Sequence, residues 1–251
     1  MSKLPNAPLQ EVIFEIRWAL KPDLRSGQIL DEGYELASGR LSTIIEKFFP
    51  FYQRILPQDL PEQLLPYQVV HQYWTGENRW PVLQLGPGIF TINCTDEAYD
   101  WDNNFRGLVK NGIDWLMQSY KQSLNIRFAS LRYIDAIKVD DHGGIDEGWQ
   151  NFIKSHLNFE YNNQFNTRGR QKQIQVNQTF ELGDGSDLQL QIADAVRNNK
   201  KALAWQTAII KKAVFDVDKL LAWADHAHSI THELFKEMIK PDLYASFSRK
   251  N

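Results

Sequence analysis

The sequence has only one cysteine in 251 residues, Cys94, so an intramolecular disulfide is excluded. It has no run of about 18 apolar residues, the length that a membrane-spanning helix needs. It also lacks the charged, apolar and small-residue regions of a secretion signal. These absences predict a cytoplasmic protein with no membrane partner. Cys94 itself ends an alternating segment and is expected to be a small buried residue.

Positive charge is not in excess. There are 28 Lys and Arg residues against 31 Asp and Glu, a net charge of −3, whereas a nucleic-acid-binding domain is typically basic. A nucleic acid is therefore not an expected partner. The sequence also lacks a phosphate-binding glycine loop before a helix, a nucleophile elbow and a calcium-loop spacing. These absences favour a non-enzymatic protein and predict no cofactor.

Aromatic residues, in contrast, are abundant. The chain has 8 Trp, 9 Tyr and 14 Phe, more than a core of this size requires. Aromatic side chains bury large areas, and Trp and Tyr are enriched at the energetic centres of interfaces. Some of them are therefore expected to line a pocket or a protein interface.

The segment "QEVIFEIRWAL" alternates from Gln10 to Leu20, which predicts a half-buried strand. One face carries Val12, Phe14, Ile16, Trp18 and Leu20. The other face carries Glu11, Ile13, Glu15 and Arg17. The charged residues therefore form one polar row on a strand whose other face is apolar.

Further elements follow from periodicity and from breakers. Helices are predicted over residues 28–49, 101–124, 146–157 and 217–240, the last ending the fold at Pro241. Strands are predicted over 67–74, 80–94, 128–139, 171–182, 187–197 and 202–215, with a turn or bulge at 86–88 and a stiff connector at 50–66. This predicts an α+β fold, with antiparallel sheets and helices packed on one face. Two similar halves, 1–140 and 145–251, are expected. The sequence leaves open that the two halves share one continuous core.

Two groups of residues could carry chemistry. The first is the charged row Glu11, Glu15 and Arg17, with Arg132 and Asp135 on the strand "FASLRYIDAI". If the two strands are neighbours, these side chains form either an ion-pair lattice or the floor of a binding site. Arginines beside carboxylates keep the carboxylates ionised, which favours the lattice over acid–base catalysis.

The second group lies on the helix "WADHAHSITHE". Helical spacing places Asp225, His228 and His232 on one face, where two imidazoles and a carboxylate could hold a metal ion. The metalloprotease pattern requires Glu directly after the first His, and Ser229 stands there. The alternative is structural, with His228 hydrogen-bonded to Asp225 or to backbone, and no metal is predicted. Trp223 and His228 are retained as binding residues.

The opening "NAPLQEVIFEIRW" resembles the signature of a family of sporadically distributed prokaryotic proteins, Asn-x-Pro-Leu-x-Glu-x-x-x-Glu-x-Arg followed by an aromatic. Similar segments are "LQLGPGIFTIN", "YDWDNNF", "LRYIDAI" and "LAWADHAHSITHELF". Family members commonly carry Asn at the position of Asp135. The resemblance implies a shared fold and accessory gene clusters, such as toxin–antitoxin or antiphage systems.

Two functions are therefore expected from the sequence. The first is an interaction protein, antitoxin-like, immunity-like or an adaptor, which binds a genetically linked protein. Formation of homo-oligomers is left open. The second is an enzyme or small-molecule binder with a pocket between sheet and helices. That pocket would use Glu15, Arg17, Arg132 and His228 as its polar groups.

Overall fold

The computed structural model describes residues 4–22, 27, 29–121 and 123–249. Its strands are β1 (Leu9–Trp18), β2 (Lys21–Pro22), β3 (Ile29–Leu30), β4 (Phe51–Arg54), β5 (His71–Gly76), β6 (Arg79–Gly86), β7 (Ile89–Cys94), β8 (Ile126–Lys138), β9 (Gln175–Glu181), β10 (Asp187–Arg197) and β11 (Lys200–Lys211). Its helices are α1 (Tyr34–Ile45), α2 (Arg106–Tyr120), α3 (Trp149–His156), α4 (Val217–Met238) and α5 (Pro241–Ser248).

Nine of these strands form one sheet in the order β4-β5-β6-β7-β1-β8-β11-β10-β9, and β2 pairs with β3. The predicted α+β class is confirmed. Strands β1 and β8 are neighbours in this order, which is the condition that the sequence analysis set for pairing between their charged residues. In the described part of the chain, no helix combines the length and the apolar character required to cross a membrane.

By compactness the described residues divide into two units. The N-terminal unit comprises residues 11–131 with 210–225, and the C-terminal unit comprises residues up to 10, 132–209 and those from 226 on. The predicted division into halves 1–140 and 145–251 stays a prediction.

The alternation of β1 is confirmed in the N-terminal unit. Val12, Phe14 and Ile16 have no exposed surface. The antiparallel register with β7 places Phe14 opposite Ile92 and Ile16 opposite Phe90, so two apolar rows meet on the core face. The predicted strand ran to Leu20, but β1 ends at Trp18.

Strands β4 to β7 form an antiparallel meander. The predicted strand 80–94 is two strands joined by Pro87 and Gly88, and Gly88 has the positive φ of +79° that favours glycine. The prediction of a plain connector over 50–66 was wrong, because β4 lies within it and pairs with β5. The prolines of that segment flank the strand rather than interrupt it.

Helix α2 packs on the apolar face of β7. A Cβ atom on Gly112 would lie 2.5 Å from Cδ1 of Ile92, so any larger residue here would force the Ile92 side chain to move. A π-helical turn, Trp101–Phe105, precedes α2, and the Asp100 side chain accepts from the backbone N–H of Asn103 at 3.0 Å. Helix α1 begins at Tyr34; residue 28, where the prediction began it, lies outside the described residues.

The C-terminal unit is built from β9 to β11 and helices α3, α5 and most of α4. Its core includes the indoles of Trp149 and Trp205, 2% and 1% exposed, packed with Ile153 and Ile192. The prediction that the fold ends at Pro241 was wrong. Pro241 is the first residue of α5, a position where its missing N–H costs nothing.

Candidate functional site

The charged row of β1 forms a local ion pair. Nε of Arg17 donates to Oε1 of Glu15 over 2.5 Å, and the side chains are 40% and 12% exposed respectively. The guanidinium carbon of Arg17 also lies 4.9 Å from the centroid of the Phe128 ring, within cation–π range. Arg17 is thus held by a carboxylate and an aromatic ring within the N-terminal unit.

Glu11 accepts a hydrogen bond from a group of uncharged polar side chains on the neighbouring strands. Nδ2 of Asn93 donates to Oε1 of Glu11 over 2.7 Å. The Thr91 hydroxyl lies 2.7 Å from Oδ1 of Asn93 and 3.0 Å from Oε1 of Gln84. Asn93 and Thr91 were missed by the sequence analysis. Their alternation within "IFTINC" indicated their common face, but their partners on other strands could not be read from it.

Arg132 and Asp135 lie in the C-terminal unit, three positions apart on β8. Asp135 is 4% exposed. Nε of Arg132 is buried and finds no hydrogen-bond partner among the described residues. The roles predicted for Arg132 and Asp135 together with the charged row of β1, an ion-pair lattice or the floor of a binding site, stay predictions.

Asp225 is held by an arginine of the same N-terminal unit. Arg106 donates from Nε and Nη2 to the two carboxylate oxygens, over 2.7 and 2.8 Å. This is the bidentate fork that a planar guanidinium makes with a carboxylate. It raises the pKa of Arg106, through the hydrogen bond first and the charge of Asp225 second. The hydrogen bond from His228 to Asp225 or to backbone stays a prediction.

His228 contacts Tyr133, and both residues belong to the C-terminal unit. Its Nδ1 lies 2.8 Å from the Tyr133 hydroxyl, and its ring centroid lies 5.8 Å from that of His232. The described residues contain no group of three or more His, Cys, Asp and Glu side chains that could hold a metal ion. In the N-terminal unit, Trp223 is 8% exposed and meets the ring of Phe215 edge-on at 5.8 Å.

A groove of about 590 Å³ opens in the N-terminal unit. It lies between the ends of strands β5 to β7, helix α2 and the residues that follow α1. Its apolar wall is aromatic. Phe48 stacks on Trp115 with ring centroids 5.5 Å apart and planes at 27°, and Phe49 meets the same indole edge-on at 6.1 Å. Phe105, at the start of α2, completes this wall.

The groove is accessible and only weakly charged. Phe48 is 59% exposed although it is a large apolar ring. Its polar lining includes Lys47, Asn104 and Asn111, and Cys94 also lines it. Cys94 is 1% exposed, as predicted for a small core residue. The predicted site residues do not line this groove. The sequence indicated this groove only through its high aromatic content, which does not show which residues line the groove.

A cluster of aromatic rings surrounds the buried side chain of His71 in the same unit. The Tyr52 hydroxyl lies 2.8 Å from Nδ1 of His71, and the Tyr34 ring stacks on the imidazole at 5.7 Å. Burial, and then the positive charge of Arg54, lower the pKa of His71 to about 4. Burial also raises the pKa of Tyr34 above its ordinary value. The cluster therefore holds neutral side chains, which suits a core better than acid–base chemistry.

Comparison with known proteins gives no relative for this arrangement. No family model, no curated protein and no solved structure matches the chain.

Proposed function

We propose that this protein is a non-enzymatic interaction protein that binds another protein through the groove at Phe48 and Trp115. The observation that carries the proposal is an exposed aromatic ring, Phe48, at the mouth of a groove with aromatic walls. Aromatic anchors in pockets supply most of the binding energy of many interfaces.

The charge of the groove supports an apolar occupant. Lys47 is the charged residue that lines it, and the other polar groups there include two neutral amides, those of Asn104 and Asn111. A groove of about 590 Å³ accommodates a few side chains of a partner helix or loop. The amides can bond the partner's backbone at the edge, as in the polar rim of an interface.

The second candidate is a small-molecule site in the same groove. The groove lies between sheet and helices, where the sequence analysis placed a pocket, and its volume falls within the range of ligand pockets. Its lining differs from the predicted Glu15, Arg17, Arg132 and His228. It favours an apolar ring-bearing molecule with one negative group, which would reach Lys47.

The family resemblance supports the choice of a protein partner. Accessory clusters of the toxin–antitoxin and antiphage kinds encode proteins that bind, inhibit or recruit an effector. We propose that the partner is genetically linked to this protein, and that the protein acts in the cytoplasm as an antitoxin-like, immunity-like or adaptor component.

The proposal is tested by affinity capture from the native host, with quantitative mass spectrometry. Phe48→Ala removes the exposed ring, and Asn111→Trp fills the groove from an exposed position. Leu36→Ala is the matched control, since Leu36 is 65% exposed on α1 and does not line the groove. We expect one protein that wild type and Leu36→Ala retain and that both groove variants lose.

Two other results would decide against it. Equal capture by all four proteins would place the interface elsewhere. A small molecule that co-purifies with wild type in native mass spectrometry, and that Asn111→Trp excludes, would establish the second candidate instead.

A further inference from the structure

Strand β4 is an edge of the nine-stranded sheet, and its pairing with β5 shows which of its groups face outward. The N–H of Ile55 donates to the carbonyl of Val70 over 2.9 Å. In an antiparallel ladder, alternate residues direct both backbone groups to the same side. Ile55, Gln53 and Phe51 therefore face β5, and Tyr52 and Arg54 direct their N–H and C=O groups away from the sheet.

This outward edge is open. In the described residues, the outward backbone groups of Tyr52 and Arg54 have no backbone hydrogen-bond partner. The side chains of Phe51, Tyr52 and Ile55 are 47%, 54% and 39% exposed. Natural edge strands are usually protected by lysines, prolines or bulges. The segment "FYQRI" has none of these and carries one charge, so it is suited to pairing with another strand.

The segment is also complementary to itself. In an antiparallel pair centred on Gln53, that residue lies opposite its own copy, Phe51 lies opposite Ile55 of the second copy, and Tyr52 lies opposite Arg54. The first face then carries apolar contacts around a pair of amides. The second face carries two arginine–tyrosine pairs, in which the guanidinium can lie over the ring.

We propose that β4 pairs with β4 of a second copy of this chain, antiparallel, about a two-fold axis that passes beside Gln53. The outward N–H and C=O groups of Tyr52 in each copy form backbone hydrogen bonds with those of Arg54 in the other copy. Gln53 faces its copy as a non-hydrogen-bonded pair, the kind in which side chains come closest. The two sheets join into one, and the edge is removed. This inference is independent of the proposed function, because β4 does not line the groove.

The experiment is sedimentation velocity of the full chain over a wide concentration range. We expect wild type to approach twice its 29.2 kDa mass as concentration rises. Gln53→Lys and Gln53→Glu each place like charges opposite one another across the axis. Each should weaken dimerisation by up to about fivefold, the effect of like charges directly opposite in a sheet. Gln53→Thr is neutral and strand-compatible, and it should dimerise as wild type does.

Mixing the two charged variants gives the decisive result. Opposite charges then meet across the axis, so the mixture should form a heterodimer more tightly than either variant forms a homodimer. A wild type that stays monomeric at all concentrations overturns the proposal. So does a dimer that Gln53→Lys and Gln53→Glu leave unchanged. Circular dichroism of each variant confirms that the monomer is folded.

Discussion

The hydroxyl of Tyr120 donates a 2.8 Å hydrogen bond to Oδ2 of Asp31. The same oxygen accepts from the indole N–H of Trp18 at 3.0 Å and from the backbone N–H of Gly88 at 3.1 Å. One carboxylate thus joins the end of β1, the β6–β7 turn and the end of α2, all within the N-terminal unit. Burial and the charge of Asp31 together raise the pKa of Tyr120 above its ordinary value.

Asp31→Ala should lower the free energy of unfolding by about 2–4 kcal/mol, since three donors would lose an ionised acceptor. Urea denaturation followed by fluorescence measures this loss. Glu32→Ala is the control, because Glu32 is the neighbouring carboxylate and is exposed; it should change stability by less than about 0.5 kcal/mol. Equal effects of the two substitutions would contradict the assigned role of Asp31.

His71 should make the protein less stable in mild acid. Its pKa is about 4 in the folded state against 6.5 for a free imidazole, so the neutral form is the one that the fold accommodates. Above pH 6.5 the imidazole is neutral in both states and has no effect. As pH falls from 6.5 to about 4, the unfolded chain takes up a proton that the folded chain does not. The free energy of unfolding should fall by up to ~1.4 kcal/mol per pH unit in this window.

The contribution of His71 is isolated by His71→Gln, which should flatten the pH profile of stability between pH 4 and 6.5. His142 has a lowered pKa as well, from burial and the neighbouring His156, so some slope of the same sign should remain. His226→Gln is the control for the substitution itself, since His226 is exposed. A His71→Gln profile parallel to wild type would show that His71 is not the titrating group.

Two glycines of α2 should respond in opposite directions to alanine. Gly107 has no heavy atom within 4 Å of an added Cβ, so Gly107→Ala should raise the free energy of unfolding by about 0.5–1 kcal/mol. At Gly112 the same methyl group would meet Cδ1 of Ile92 at 2.5 Å, so a crowding cost of about 1–3 kcal/mol should outweigh the gain in helix propensity, and Gly112→Ala should lower the free energy of unfolding. Thermal denaturation of both variants provides the measurement. A stabilised Gly112→Ala would contradict the close packing of α2 on β7.

Local patterns predicted much of the fold. The alternation of β1 gave its buried face, because Val12, Phe14 and Ile16 repeat with the strand period. Strand β4 was missed because it is only four residues long, is flanked by prolines and shows no alternation of polar and apolar residues. Helix α5 was missed because proline ends one helix and begins another equally well. The groove brings residues 47–49 together with residues 94–115, and only tertiary packing determines that proximity.

The groove variants should leave the fold intact. Phe48 is 59% exposed, so Phe48→Ala loses little burial and chiefly the stacking on Trp115, about 0.5–1.5 kcal/mol. Urea denaturation measures that loss. A loss above about 3 kcal/mol would mean that Phe48 is a core residue, and binding data on this variant would then report unfolding. In that case Asn111→Trp, at an exposed position, remains the test of the groove.

The central claim, that the groove binds a protein, is tested most directly by photo-crosslinking in the native host. A photoreactive residue at position 111 lies in the groove, and one at position 36 lies on an equally exposed part of α1 outside it. Binding at the groove predicts a single crosslinked protein from position 111 that is absent from position 36 and is lost when Phe48→Ala is added. No protein crosslink from position 111, or the same crosslinked products from both positions, would contradict the claim.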